Sequence, residues 1–364
     1  MSRTKVLLLG AGFIAGIHLE SYNRFVSDAE VVGVFSRNPE RSRQVATAHN
    51  IKNYYSDWKE AILESDCEVV DICLPNFLHC QVTCFAAEHG KHVILEKPFC
   101  MNMEEADRMI EVCRSHGRKL MYAEELCFAP KYERVRSAIE EGAVGTIFQL
   151  RQCEKHSGPH SDWFYNVEQS GGGALMDMGC HAFGWFRWIL GRKPVKSVYA
   201  TMRTLYHTGR TRGEDNSLAI AEFEDGTIGV AENSWAKQGG MDDRIEVYGT
   251  EGVVYADLFN GNSALTYSQK GYGYAMEKAG GTQGWSFMIF EEAFNQGYPQ
   301  ELAHFIDCIR RDKDPLSTGE DGRAVLEMML AAYYSAGTGA KVSLPFRPQV
   351  AKPIDLWFNP GQVL

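Results

Sequence analysis

The sequence predicts an α/β protein in two parts: an N-terminal doubly wound parallel sheet, and a C-terminal α+β domain with a large, mostly antiparallel open sheet. Three observations carry that expectation. The chain opens with an apolar strand, Lys5 to Leu9, that runs into Gly10-Ala11-Gly12-Phe13-Ile14-Ala15 and then a helical pattern. Strands and helices alternate up to residue 125, as parallel βα units require. After Pro130 the strands lengthen and hairpin-type turns join them. The domains are therefore placed at 1–125 and 126–364.

The opening turn has the spacing of a dinucleotide-binding Rossmann loop. Gly10 permits the tight turn, Gly12 lets the backbone approach a pyrophosphate, and Ala15 is small enough for the helix to pack on the strand. The amides of Phe13 and Ile14 begin that helix, where unpaired N–H groups and the helix dipole favour an anion. Arg3 and Lys5 precede an apolar run, but glycines break it and no small-residue cleavage site follows, so a signal peptide is not expected.

Val31 to Ser36 reads as the next strand, and Asn38-Pro39-Glu40 opens a polar helix. Val69 to Leu74 is apolar and turns out through Leu74-Pro75-Asn76. Gln81 to His89 forms a helix ended by Gly90, and His92 to Leu95 is another buried strand. Asn102 caps the helix that follows, with Glu105 three residues on as in a capping box. Glu104 and Glu105 fill its first turn, Arg114 and His116 its last, and Gly117 ends it. Lys119 to Ala123 is strand again.

In the second half a helix runs from Pro130 to about Glu141. Strands follow at 146–156, 195–205, 216–224, 227–235, 244–249 and 252–259, with helices at 174–190, 299–311 and 320–336. Glu224-Asp225-Gly226 and Gly249-Thr250-Glu251-Gly252 are hairpin connections. The glycine-rich stretch 271–284 reads as a mobile loop.

Composition narrows the function. The chain has 364 residues, 45% hydrophobic and 23% charged, which suits a soluble two-domain protein. A net charge of −10 argues against a nucleic-acid partner. No apolar segment reaches membrane-spanning length. Ten scattered cysteines without a C-x-x-C pair read as reduced thiols of a cytoplasmic protein.

The coenzyme's phosphate stays open. An NAD site usually has Asp or Glu at the end of the second strand, bonding the ribose hydroxyls. Ser36-Arg37 stands there instead, and a hydroxyl followed by a guanidinium can hold a 2′-phosphate, so the local chemistry leans toward NADP. With Arg37 stacked on adenine and Ser36 on a ribose hydroxyl, the same pair serves NAD.

The opening motif with His18, the segment Leu74-Pro75-Asn76 followed by His79, and Gly90-Lys91-His92-Val93-Ile94-Leu95-Glu96-Lys97-Pro98 resemble the Gfo/Idh/MocA oxidoreductases. The resemblance continues through Gly171-Gly172-Gly173-Ala174-Leu175-Met176-Asp177-Met178-Gly179-Cys180-His181, Tyr248-Gly249-Thr250-Glu251-Gly252 and Ser317-Thr318-Gly319-Glu320-Asp321-Gly322. It implies a nicotinamide-dependent enzyme that oxidises a ring secondary hydroxyl of a sugar, glycoside or cyclitol, C3 among the candidate positions.

Such chemistry needs a group that removes the hydroxyl proton and a positive group beside the developing alkoxide. By resemblance His181 is the acid/base, Lys97 orients the hydroxyl and lowers its pKa, and Asp177 orients the substrate. Asp177 and His181, four apart on a predicted helix, share a face. The resemblance also places Leu74, Pro75, Asn76, His79, Glu96, Lys97 and Glu125 around the coenzyme, and implies that the Lys97-Pro98 bond is often cis. Three departures stand out. Gly184 occupies a position where many relatives have Asp. Leu126-Cys127-Phe128-Ala129-Pro130 lacks the Arg of an R-F-x-P segment. Glu125 aligns with an Asn near the nicotinamide.

On the substrate side, the loop His156-Ser157-Gly158-Pro159-His160-Ser161-Asp162-Trp163-Phe164-Tyr165 carries polar groups and aromatics suited to a polyhydroxylated ring. His156, His160 and Trp163 are its candidates, with Tyr122, Trp235 and Trp285 as further ones. Gly158-Pro159 prevents the helix that would align His156 with His160 on a metal, so none is expected. Two other functions fit the same fold: glycosidic cleavage through transient oxidation with no net redox change, and a non-catalytic sugar sensor. An uncovered apolar sheet of this size also predicts a homo-oligomer.

Overall fold

Six short, largely apolar strands build the first sheet of the computed structural model: β1 (Thr4–Leu9), β2 (Ala29–Phe35), β3 (Asn53–Tyr55), β4 (Val69–Ile72), β5 (His92–Glu96) and β6 (Leu120–Ala123). Their order is β3-β2-β1-β4-β5-β6 with every neighbouring pair parallel, the arrangement of a doubly wound dinucleotide fold. Helices cover both faces, so β4 and β6 are buried along their whole length. The structure describes residues 2–259, 264–271, 281–288 and 291–362.

The helix starts are sequence-encoded. Asn38 accepts from the amides of Glu40 and Arg41 at 3.0 and 3.4 Å, with Pro39 in the first turn. Asn102 accepts from the Glu105 amide at 2.9 Å. The return bond of the expected capping box goes one residue further back, from the Met101 amide to Glu105 at 3.0 Å.

The chain divides into one unit of 1–128 with 297–326 and another of 129–296 with 327–364. The segment 297–326, which the sequence assigns to the second domain, thus packs with the first. The reason lies in contacts distant in sequence: the helix Tyr298–Arg310 buries Leu302, Phe305 and Ile306, and the Ser317 carbonyl accepts from the Tyr122 amide at 3.2 Å, extending the β6 edge.

The second unit is built on a seven-stranded sheet ordered β12-β11-β7-β10-β9-β8-β15. Its strands are β7 (Ile147–Lys155), β8 (Val195–Arg203), β9 (Asn216–Phe223), β10 (Ile228–Ser234), β11 (Asp242–Gly249), β12 (Val253–Asp257) and β15 (Val342–Ser343). All pairs are antiparallel except β7 with β10. A two-stranded hairpin, β13 (Ala264–Ser268) with β14 (Gly284–Met288), stands apart. Residues 272–280 of the expected loop lie outside the described residues.

The helix Cys180–Ile189 buries Phe183, Trp185 and Phe186 against one face of the large sheet. A Cβ on Gly229 of β10 would sit 2.7 Å from the Phe186 ring, so the helix packs on bare backbone there. Across the other face runs a cross-strand row, Tyr199, Ile220, Val230, Arg151, Glu246 and Tyr255, with Tyr199, Ile220 and Tyr255 exposed. No helix among the described residues is long and apolar enough to cross a membrane.

Candidate active site

The first unit opens on a tight glycine turn that leads into a helix. Gly10 has φ of +137°, and a Cβ there would lie 2.4 Å from the Cys73 carbonyl oxygen, so only glycine closes this turn. At Gly12 a Cβ would meet nothing within 4 Å. The helix Phe13–Phe25 begins at Gly12 without a side-chain cap, and Phe13 is exposed. An open, uncapped amide end of this kind fits a pyrophosphate.

At the end of β2, Ser36 is half-buried and Arg37 exposed. The Ser36 hydroxyl oxygen accepts from the Asn38 amide at 3.3 Å. Arg41, one turn into the next helix, donates to the Ala11 carbonyl at 3.2 Å and so braces the glycine turn from behind.

Asn76 lies in a short 3₁₀ turn after Leu74 and Pro75. His79 opens the helix that follows, His79–Glu88. It is wholly buried, with Nε2 2.9 Å from the Leu74 carbonyl and Nδ1 3.0 Å from that of Pro98. It fastens the Leu74–Asn76 turn to the Lys97-Pro98 segment and leaves no surface for a ligand. The Lys97-Pro98 bond is cis, and Lys97 is half-buried.

Behind Lys97 lies a buried polar array that spacing alone did not reveal. Glu96 accepts from the Lys97 amide at 3.0 Å, and its other oxygen is 3.0 Å from His18 Nε2. The other His18 nitrogen is 2.9 Å from Asp71, which also accepts from Tyr22 at 3.0 Å. Burial opposes charge on His18, but Asp71 and Cys73 beside it hold its pKa well above the usual value.

Glu124 is pushed up to about 8, by burial and then by Glu96, with Lys97 pulling the other way. Glu125, in the 3₁₀ turn Glu125–Phe128, accepts from Tyr298 at 3.0 Å. Glu301 is fully buried, and neither oxygen has a hydrogen-bond partner among the described residues. Burial, then Glu125 and Glu96, raise its pKa well above the usual range. Tyr122 packs edge-on against Phe99 at 5.7 Å, in the core of this unit.

The second unit holds Asp177 and His181. The sequence predicts one α-helix from 174; instead a wide π-type turn, Leu175–Gly179, carries Asp177 and passes into the helix Cys180–Ile189 that carries His181. Such turns are frequent at functional sites. Trp235, just past β10, donates its indole N–H to Asp177 Oδ2 at 2.9 Å. His156 Nε2 lies 3.7 Å from the same oxygen, while its Nδ1 accepts from the Gly158 amide at 3.1 Å.

The loop 156–165 comes against Asp177 at one end. His156 reaches Asp177, Trp163 stacks on Phe164 at 3.8 Å, and His160 is exposed. Tyr165 packs on Trp235 and on His207, and the Arg210 guanidinium lies over its ring at 3.9 Å. Neither His207 nor Arg210 is legible from motifs, because their loop meets Tyr165 only in the fold. The Trp285 side chain lies outside the described residues.

Comparison with known proteins agrees with both halves. Residues 4–124 match the oxidoreductase family's NAD-binding Rossmann fold, and residues 132–255 match the GFO/IDH/MocA C-terminal domain. The chain is 26% identical over 343 residues to the myo-inositol 2-dehydrogenase of Thermotoga maritima, covering 93% of this chain and 98% of that one. It is 26% identical over 360 residues to the D-glucoside 3-dehydrogenase of Escherichia coli, covering 94% and 98%. Among solved structures, GenD2 from gentamicin A biosynthesis, in complex with NAD, matches with a TM-score of 0.90 at 30% identity over 95% of this chain and 97% of its own.

Proposed function

The chain belongs to the Gfo/Idh/MocA oxidoreductases, and from that premise we propose that it oxidises a ring secondary hydroxyl of a sugar, glycoside or cyclitol. The observation that carries this is the Asp177 carboxylate, held by Trp235 with His156 alongside and followed four residues later by His181. The dehydrogenases of inositol and of glucosides among its relatives support the substrate class.

When bound, a nicotinamide supplies the hydride acceptor. The remaining chemistry belongs to side chains. The Lys97 ammonium holds the hydroxyl oxygen and favours its alkoxide character. Asp177 accepts a hydrogen bond from the sugar and fixes its orientation. His181 takes the hydroxyl proton as the carbinol C–H bond breaks and C=O forms, then returns that proton to water. Gly10, Gly12, Phe13 and Ile14 hold the pyrophosphate, and Leu74, Pro75, Asn76, Glu96 and Glu125 border the coenzyme.

The Arg37 guanidinium, exposed at the end of β2 where no carboxylate stands, supports acceptance of a 2′-phosphate and hence of NADP. The exposed Tyr199, Ile220 and Tyr255, in a cross-strand row that also carries Arg151 and Glu246, support self-association through the open sheet face. Ten free cysteines support a reducing, cytoplasmic setting.

The test is a panel of cyclitols, glycosides and free sugars with NAD and with NADP, followed by nicotinamide absorbance, with native mass spectrometry for retained coenzyme. Reduced coenzyme is expected with one substrate class, and product NMR then locates the carbonyl. A protein that binds the dinucleotide and reduces none of it on any member of the panel ends this reading.

A further inference from the structure

Asp177 is only as well placed as the turn that carries it, and that turn is fastened from one side by a buried dipeptide, Glu214-Asp215. The Glu214 carboxylate accepts from the Gly173 amide at 3.1 Å, the Leu175 amide at 2.8 Å and the Tyr333 hydroxyl at 2.7 Å. Its own carbonyl accepts from the Ala174 amide at 2.8 Å. The Asp215 carbonyl accepts from the Trp235 amide at 2.8 Å, so the same dipeptide also positions the residue that donates to Asp177.

The fit is close. A Cβ on Gly173 would fall 1.9 Å from the Glu214 carbonyl oxygen, and one on Gly172 would fall 2.0 Å from the Tyr333 hydroxyl. The Asp177 amide then bonds the Gly173 carbonyl at 3.1 Å, closing the path from clamp to carboxylate.

We propose that Glu214 is a positioning residue of the reaction: its ionised carboxylate gathers three donors, fixes the Gly173–Leu175 run and thereby aims Asp177 at the substrate. This rests on Asp177 acting at the reacting hydroxyl. The ionised carboxylate only accepts, which matches three donors, whereas a protonated carboxyl must also place its own O–H among them.

Burial pushes Glu214 up to about 7, against the opposing hydrogen bonds from Tyr333, Leu175 and Gly173. The bonding of the clamp therefore changes as pH passes through neutrality, where burial and the three donors pull against each other. Among the described residues the titratable side chain bonded to it is Tyr333, whose own pKa burial and Glu214 raise well above the usual value. Asp215 is engaged elsewhere, accepting from the amides of Leu205, Tyr206 and His207 at 2.8, 2.6 and 2.6 Å.

The test compares the wild type with Glu214→Gln and Tyr333→Phe across pH, reading kcat, coenzyme affinity and hydrogen exchange of the 171–180 segment. Glu214→Gln is expected to lower kcat roughly tenfold or more, remove the part of the pH dependence of kcat that Tyr333→Phe shifts, and leave coenzyme affinity unchanged. Tyr333→Phe removes a bond that favours the ionised form, so that part should move to higher pH by roughly one unit. Should Glu214→Gln fail to fold, this shift alone decides. An unmoved pH profile in Tyr333→Phe, or wild-type kcat in Glu214→Gln, overturns the proposal. Exchange protection keeps it separable from the reaction: if no sugar is oxidised, protection of 171–180 that still titrates near neutrality in the wild type and not in Glu214→Gln upholds the clamp, while pH-independent protection refutes it.

Discussion

The Trp235 indole donates to Asp177 at 2.9 Å, joining the end of β10 to the turn before the histidine-bearing helix. Both residues are buried, and Ala174 and Met178 pack on the same indole. The bond leaves one carboxylate orientation favoured, with the second oxygen aimed by the first. A hydrogen bond to a charged acceptor contributes about 1.5–3 kcal/mol.

Trp235→Phe keeps most of the ring packing and removes the donor. Steady-state kinetics should show kcat lowered by roughly ten- to a hundredfold, with coenzyme affinity unchanged. Equal losses in coenzyme binding and kcat would mean that the ring only supports the fold.

The two glycines of the opening turn should respond differently. Gly10→Ala drives a Cβ into the Cys73 carbonyl at 2.4 Å, so thermal stability and dinucleotide binding should both fall. Gly12→Ala meets no protein atom within 4 Å, so stability should hold while binding weakens at least roughly tenfold, because the new methyl occupies the pyrophosphate's approach. Calorimetry of both variants, with and without coenzyme, reads the difference.

Removing the guanidinium beside the second strand tests the coenzyme's phosphate. Arg37→Ala should weaken NADP binding by roughly tenfold, the scale of one charge-assisted bond, and leave NAD nearly unaffected. Equal losses for both coenzymes would assign Arg37 to the adenine instead.

The buried acids set a pH slope of stability. Glu124 has an ordinary value of 4.5 and sits at about 8 in the fold, so its neutral form is the one the fold favours. That contribution is complete below about pH 4.5 and is lost as pH rises through about 8. Glu301 is shifted in the same direction. Glu222 and Asp225, lowered to about 2 by lysine partners, stay ionised across this window and add no slope. His92, lowered by burial to about 4, and His79 and His304, shifted in the same direction, oppose this slope below about pH 6.5, so the acids' share is read as the difference in melting temperature between pH 5 and pH 8.5 that Glu301→Gln removes. Glu301→Gln should raise the melting temperature at the alkaline end and flatten the slope.

Much of this was legible in the sequence because the signals are local. The glycine turn, the Asn38 and Asn102 caps and the run of parallel βα units each depend on neighbours a few residues away. The remainder depends on distant pairs. Segment 297–326 joins the first unit because Tyr298 bonds Glu125 and Ser317 extends β6, and neither contact leaves a periodic trace. His18, Asp71 and Glu96 meet only once β1, β4 and β5 lie side by side. Glu214 reads as an acidic residue before a strand until Gly173 is brought against it.

The most direct measurement is transfer of deuterium from a labelled ring carbon to the nicotinamide. Wild-type protein given a carbinol-deuterated cyclitol or glycoside should yield deuterated reduced coenzyme. Lys97→Ala and His181→Ala should bind the dinucleotide as tightly and yield at least roughly a hundredfold less label. Label transferred equally by all three proteins, or by none while coenzyme is bound, would contradict hydride abstraction from a sugar hydroxyl at this site.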